Sequence, residues 1–470
     1  MELHDLSALE QARAIAHGEV TAVALTEHYL ARAERHNATV GAFARITPDL
    51  ALHMARAADD VVRASGGGDL PALHGVVCPV KDLESIAGVP TGFGTSLAFP
   101  TPEFDDNVVV AMRSAGLVFT GKTSAPEFGL PCYTEPAGAP PARTPWDLTC
   151  SASGSSGGAA AAVAAGLAPI AQGSDGGGSI RLPASVCGLV GIKPTRGRVS
   201  NGPASDGVGD LVSIGPLARS VRDAAALLDV MSVPFEGDPF RAQPKSETFV
   251  AAADLPLGSL RVGMFTEPMV GTTPPTADVV AAVAATATLL VDLGHRVEEI
   301  PPLLTPADVP HFEVIWAAGV AGLALPPQAS HVLRPLTAWL AERGRELSAG
   351  DLAAAVLAMR RAARRALVAS AEYDVILAPT AAAGPFPVGF LRNDDDPAAD
   401  FAAQKQWASY TAACNVTGQP AINVPLYWTA QEVPIGVQLI GRPNAESTLI
   451  ALAAQLEEAQ PWQHHRPTLW

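Results

Sequence analysis

The chain has 470 residues, 48% hydrophobic and 17% charged, with 42 Gly and 41 Pro; this length allows one to three domains, and the mixture suits a loop-rich globular chain, not a coiled coil or a disordered one. A formal net charge of −16 repels phosphate backbones and anionic lipid, which argues against a nucleic-acid partner or a membrane-surface role. Five scattered cysteines (Cys78, Cys132, Cys150, Cys187 and Cys414) form no C-x-x-C pair and no disulfide framework, and point to a reducing, cytoplasmic setting.

The N-terminal stretch has neither a basic start nor an apolar core, so it reads as helix and not as a signal peptide. Apolar residues recur at helical spacing from Leu6 to Arg45 with a break at Gly18, predicting two packed helices. The apolar runs Gly75–Asp82 and Gly116–Thr120 read as buried strands on either side of a helical stretch, Asn107–Ala115. A Gly/Ser/Ala-rich region from Ser151 to Pro194 follows, with one helix at Gly157–Gly166. Beyond it an α/β rhythm returns: strand Leu260–Phe265, helix Ala277–Leu293, strand Arg296–Glu299, and strand Val375–Leu377 before Pro379. Residues 303–371 are Ala-rich and mainly helical, and Arg360, Arg361, Arg364 and Arg365 are expected on a solvated helix face. A single mixed sheet covered by helices packs these elements most naturally. No apolar run reaches the ~20 residues of a membrane span.

The least ordinary segments are Ser153-Gly154-Ser155-Ser156-Gly157-Gly158 and Gly173-Ser174-Asp175-Gly176-Gly177-Gly178-Ser179-Ile180-Arg181. Glycine at this density costs conformational entropy and is kept where the backbone takes unusual angles or closely approaches a ligand. Three Gly N–H groups before a serine suit an oxyanion hole, and Ser179 stands where a nucleophile belongs. A flexible linker is the plain alternative, but Ile170, Ile180, Leu182, Val186, Leu189 and Val190 around the block are core-like.

These segments, together with Pro79-Val80-Lys81-Asp82, resemble the amidase signature family. Gly121-Lys122-Thr123, Arg143-x-Pro145-Trp146, Gly188-x-x-Gly191-x-Lys193-Pro194-Thr195, Asn415-Val416-Thr417-Gly418-Gln419-Pro420-Ala421 and Pro434-Ile435-Gly436-Val437-Gln438 follow in the same order, so the likeness runs through nearly the whole chain. The resemblance implies one large α/β domain over 1–470, a central mixed β-sheet covered by helices on both faces. Its catalytic core spans about 70–235 and a variable helical insertion about 303–371. It also implies Lys81, Ser155 and Ser179 acting in series, with a cis peptide before Ser155. Backbone N–H groups of Gly176, Gly177, Gly178 and Ser179 form the hole, Ser156 bonds Lys81, and Asp175 pairs with Arg181. Gly176 departs from the pattern, because the residue after the aspartate often bears a side chain; the N–H remains.

The chemistry asks for these residue types. A serine hydroxyl must lose its proton during attack, and a lysine can take it only when neutral, which burial and nearby cationic or donor groups favour. Taken alone, Lys81 reads as a surface lysine at a strand end; the joint match changes that reading. Gly116–Thr123 also fits the phosphate-loop pattern G-x-x-x-x-G-K-[ST], but Leu117-Val118-Phe119 reads as buried strand and Pro126 interrupts any following helix. Gly154–Gly158 fits the G-x-S-x-G elbow without the buried strand that should precede it.

No metal site is expected from the dispersed histidines, and no cofactor is required. The insertion offers Phe312, Val314, Ile315, Trp316, Leu323 and Leu325 with few fixed charges, which favours a neutral, apolar substrate: amides, carbamates (urethanes) or esters. Tyr133 and Trp316 are the pocket candidates. The resemblance is nearest to broad-specificity and cyclic-oligoamide-hydrolysing members, acting as monomer or homodimer on small molecules. The rival is the glutamine-hydrolysing subunit of a tRNA-dependent amidotransferase; such subunits carry an acidic residue before the Asn-x-x-Gly segment, where this chain has Trp407-Ala408-Ser409-Tyr410.

Overall fold

A computed structural model describes residues 2–204, 207, 209–323, 325, 329 and 331–470. Eleven strands form among them: β1 (Phe43–Ile46), β2 (Val80–Lys81), β3 (Gly121–Thr123), β4 (Ile170–Asp175), β5 (Val190–Lys193), β6 (Ser213–Ala218), β7 (Arg261–Met264), β8 (Arg296–Glu299), β9 (Val375–Pro379), β10 (Ala421–Trp428) and β11 (Pro434–Gly441). Eight of them make one sheet in the order β4-β6-β5-β10-β11-β9-β7-β8. Pairing is antiparallel from β4 to β9 and parallel across β9, β7 and β8. The parallel step from β7 to β8 needs a crossover, which the helix Ala277–Asp292 supplies.

Side-chain alternation divides the core between the two faces of this sheet. Val375 and Leu377, Ile422 and Val424, and Leu439 point into one cluster, with the helices Val221–Met231 and Glu446–Ala459 packed on it. Their neighbours Ile376, Ala378, Ala421 and Ile440 point into another, against the helices Ala349–Ser370 and Ala412–Thr417. Both faces are therefore covered, as expected for the α/β domain.

The expectation of a single sheet does not hold. β1, β3 and β2 form a separate three-stranded sheet, and the run at 116–120 enters it only from Gly121, with Val118 touching Val77 in one isolated bridge. β2 lies beside β4 without joining its ladder: Gln172 N–H donates to Pro79 O at 3.3 Å, but the Lys81 N–H is accepted by the Gln172 side chain at 2.8 Å. A side-chain amide thus stands where the next backbone bond would be, and the small sheet abuts the large one at Lys81.

The helix Gly157–Ala164 is buried at every residue. Its small side chains permit that; a Cβ on Gly158 would lie 2.4 Å from Ser124 N and 2.5 Å from Ala42 O. Within residues 303–371, the helices Val309–Ala321, Pro335–Glu346 and Ala349–Ser370 are formed. Residues 324, 326–328 and 330 of that region lie outside the described residues. Ala355, Met359, Ala362 and Ala366 face inward at helical spacing, whereas Arg360, Arg361, Arg364 and Arg365 are exposed, Arg365 reaching Asp308. Among the described residues, all five cysteines are unpaired, and no helix is long and apolar enough to cross a membrane.

Candidate active site

Lys81 ends β2 with its side chain wholly buried, and its Nζ lies 2.8 Å from Ser155 Oγ, 3.0 Å from Ser174 Oγ and 3.3 Å from Ser174 O. Burial pushes its pKa down to about 7, against the opposing pull of the Glu84 and Asp175 carboxylates. The Gly154–Ser155 peptide is cis. Gly154 is required by space, since a Cβ there would come within 2.8 Å of Tyr133 N.

The expected bond between Ser156 and Lys81 is not made. Ser156 Oγ instead donates to Ser174 O at 3.1 Å and accepts from Ser174 N–H at 3.2 Å. Ser156 lies at the start of the Gly157 helix, where its hydroxyl clasps the backbone of β4. Ser174 is the serine that reaches Lys81, a contact that sequence reasoning missed. Its place next to Asp175 was the available signal.

Ser179 follows the end of β4 and is half-buried, and its Oγ has no hydrogen-bond partner among the described residues. The Ser156 N–H donates to Ser179 O at 3.1 Å, which holds the segment of the two preceding serines beside it. The expected hole is corrected at Gly178, whose N–H donates to Asp175 Oδ1 at 2.7 Å. The carbonyl of the same peptide unit, Gly177 O, accepts from Thr411 Oγ1 at 2.5 Å. That peptide is fixed at both ends and cannot turn toward a ligand. The N–H groups of Gly176, Gly177 and Ser179 have no acceptor among the described residues. Gly178 has φ 134°, and a Cβ there would meet Thr411 Oγ1 at 2.3 Å, so this position demands glycine twice over.

Asp175 and Arg181 are paired as expected, both fully buried, with Nε to Oδ2 and Nη2 to Oδ1 each at 2.9 Å. Arg181 also donates to Asn415 Oδ1, Thr411 O and Gln438 Oε1, so all five of its donors are used. Burial opposes the Asp175 charge, yet the Arg181 guanidinium and Asn415 outweigh it and hold the carboxyl well below its usual range. Asn415 and Gln438 belong to the two late motifs of the sequence, whose role is to finish this buried ion pair. Thr411 carried no signal in the sequence.

A cavity of about 810 Å³ of empty space, its open mouth included, leads to Ser179 and Gly177. Its walls include Leu130, Leu182, Met269, Met359 and the rings of Phe312 and Trp316, which stack at 5.5 Å. Trp316 also covers the hole segment: a Cβ on Gly176 would touch its ring at 3.4 Å. Tyr133 is not in this cavity. It is buried, with its hydroxyl donating to Asp400 Oδ2 at 2.7 Å, while the adjacent Cys132 lines the wall. A buried phenol needs a polar partner, and Asp400 supplies it. Lys122, from the rejected phosphate-loop pattern, is buried and engaged by Asp82 at 3.2 Å and Glu84 O at 2.7 Å.

Within this α/β fold, Ser179 and Gly177 line the cavity, and Lys81 is hydrogen-bonded to Ser155, an arrangement compatible with acyl transfer. The family model described as Amidase matches residues 24–450. An amidase-family protein of Synechocystis sp. is 38% identical over 464 residues, 96% of this chain and 88% of that one. A 6-aminohexanoate-cyclic-dimer hydrolase of Paenarthrobacter ureafaciens is 38% identical over 387 residues, 78% of each chain. The solved structure of a 6-aminohexanoate cyclic dimer hydrolase with substrate superposes with a TM-score of 0.91 at 32% identity, covering 100% of both chains. The chain belongs to the amidase family, and it is a hydrolase of carbon–nitrogen bonds in amides.

Proposed function

We propose that the chain cleaves neutral, apolar carboxamides through an acyl-enzyme on Ser179, with Ser155 as proton relay and Lys81 as base. The observation that carries this reading is the 2.8 Å contact between Ser155 Oγ and the Nζ of a wholly buried Lys81, whose pKa burial pushes down to about 7. Ser179 Oγ attacks the carbonyl carbon, its proton passes to Ser155, and the Ser155 proton passes to Lys81. The oxyanion is met by amide N–H groups of Gly176, Gly177 and Ser179. Lys81 then returns the proton through Ser155 to the leaving nitrogen, the amine departs, and water repeats the sequence on the acyl ester.

The apolar cavity and the stacked Phe312 and Trp316 support substrates with flat or aliphatic flanks, and the likeness to a cyclic-dimer hydrolase supports cyclic or oligomeric amides among them. Carbamates and esters present the same carbonyl and belong to the same proposal. Glutamine is disfavoured: Trp407 is packed against Phe386 at 4.8 Å where the rival would place an acid, and the cavity's charged Lys405 is engaged by Glu313. A small-molecule enzyme acting in the cytoplasm as monomer or homodimer completes the reading. The test is a panel of anilides, cyclic amides, carbamates and glutamine given to the purified chain alone; turnover of glutamine only would defeat it.

A further inference from the structure

Next to Lys81, in the turn that follows β2, lies a buried cluster that the proposed mechanism does not use. The turn after β2 brings Glu84 back on itself, its N–H donating to Lys81 O at 3.1 Å. Glu84 Oε1 accepts from Gln172 Nε2 at 3.4 Å, and Oε1 of the same Gln172 accepts the Lys81 N–H at 2.8 Å. One side chain therefore bridges the carboxyl and the backbone of the lysine. Among the described residues Glu84 Oε2 is buried with no partner, as is Oδ1 of Asp106, whose Oδ2 accepts from Ser85 N–H at 2.6 Å.

The charges around Glu84 can be paired off. Lys122, from β3, is matched by Asp82 and donates to Glu84 O and Thr91 Oγ1. Arg181 is matched by Asp175. Among the described residues, Lys81, Glu84 and Asp106 remain without an ionic partner. A buried carboxyl with a vacant oxygen beside a buried amine has two arrangements with the same number of protons, both neutral or both charged, so the two groups titrate as one system.

We propose that Glu84 is a positioning residue for the base: held against β2 and β4 by the Gln172 bridge, it sets the pH at which Lys81 becomes neutral. The proposal rests on the reading of Lys81 as base. Burial, reinforced by the Asp106 charge, pushes Glu84 up to about 7, where Lys81 also lies, while Lys81 and Lys122 pull it the other way. Burial raises Asp106 as well. A charged Glu84 stabilises the lysine cation and delays its deprotonation; a protonated Glu84 releases it.

The test is the pH dependence of kcat/KM on a neutral anilide in wild type and Glu84→Gln, an exchange that keeps an oxygen acceptor for Gln172. Without the Glu84 charge the acid limb moves to lower pH by about half a unit to one unit, and the plateau falls because the base is weaker. A Glu84 that served structure alone would depress kcat/KM at every pH and leave the limb in place, which would overturn the proposal. Should Glu84→Gln fail to fold, infrared spectra of 13C-glutamate-labelled protein give the reciprocal measurement. A buried carboxyl band then titrates with the kinetic limb in wild type, and its midpoint rises in Lys81→Met by a comparable amount. A midpoint indifferent to Lys81 counts against the coupling. Full activity in Lys81→Met removes the base reading and the proposal together; an unmoved Glu84→Gln limb beside an inactive Lys81→Met defeats the proposal alone.

Discussion

Exchanging Lys81 for Met removes the amine and keeps most of its volume, so it separates the base from the packing. With a pKa of about 7, half of the Lys81 side chains are neutral at pH 7. An ordinary lysine near 10.4 would be neutral in fewer than roughly one molecule in a thousand, so burial enriches the base on the order of a thousandfold. The profile of kcat/KM for a non-ionising anilide should therefore rise with unit slope to a midpoint near 7 and then level off. Lys81→Met should lose that limb and about 10²- to 10⁴-fold of the rate at pH 8, the range of a general base.

The same burial has a thermodynamic sign. Because the folded pKa is depressed, the unfolded chain binds the extra proton between about 7 and the unfolded value, so wild-type stability rises with pH across that window. The slope is half its full value of about 1.4 kcal/mol per unit at pH 7, where the folded group is half protonated, and approaches that value by pH 9, so wild type should gain about 2 kcal/mol on Lys81→Met over this range in denaturant unfolding. A difference between the two proteins that stays constant over this range, or a variant with normal rates and an intact acid limb, would refute the reasoning.

Arg181→Met leaves Asp175 buried and unpaired and should cost about 3–5 kcal/mol of stability by urea unfolding; a loss below about 1 kcal/mol would mean that the ion pair is not what holds the hole segment. Thr411→Val removes the hydroxyl that fixes Gly177 O and should lower kcat about tenfold with little change in KM, the effect of one lost hydrogen bond; a change in KM alone would place Thr411 in binding instead. Trp316→Ala should raise KM for bulky aromatic amides about tenfold and spare the smallest amides, and equal effects on both would remove Trp316 as a wall of the site.

The Gly/Ser block and its flanking motifs made the α/β architecture and the partners Lys81, Ser155, Asp175 and Arg181 legible, because each depends on residue types that few other arrangements explain. What stayed hidden depends on direction in space. Ser156 and Ser174 are chemically identical, and only the packing of β4 against β2 decides which one meets Lys81. Gly176, Gly177 and Gly178 are equivalent as letters, but the Asp175 carboxylate turns one N–H inward. Tyr133 and Cys132 are neighbours whose side chains part company, one to Asp400 and one to the cavity. The division into two sheets turned on the Gln172 side chain replacing a backbone acceptor, which no periodicity reveals.

The central claim is that Ser179, and no other hydroxyl, forms the acyl-enzyme. Peptide mass mapping after treatment with a fluorophosphonate or sulfonyl fluoride probe tests it most directly, with Lys81→Met as the control of slowed reaction. The account predicts a single adduct on the peptide carrying Ser179, formed without added metal, nucleotide or partner protein. An adduct on Ser155 or Ser156 with Ser179 unmodified would contradict it.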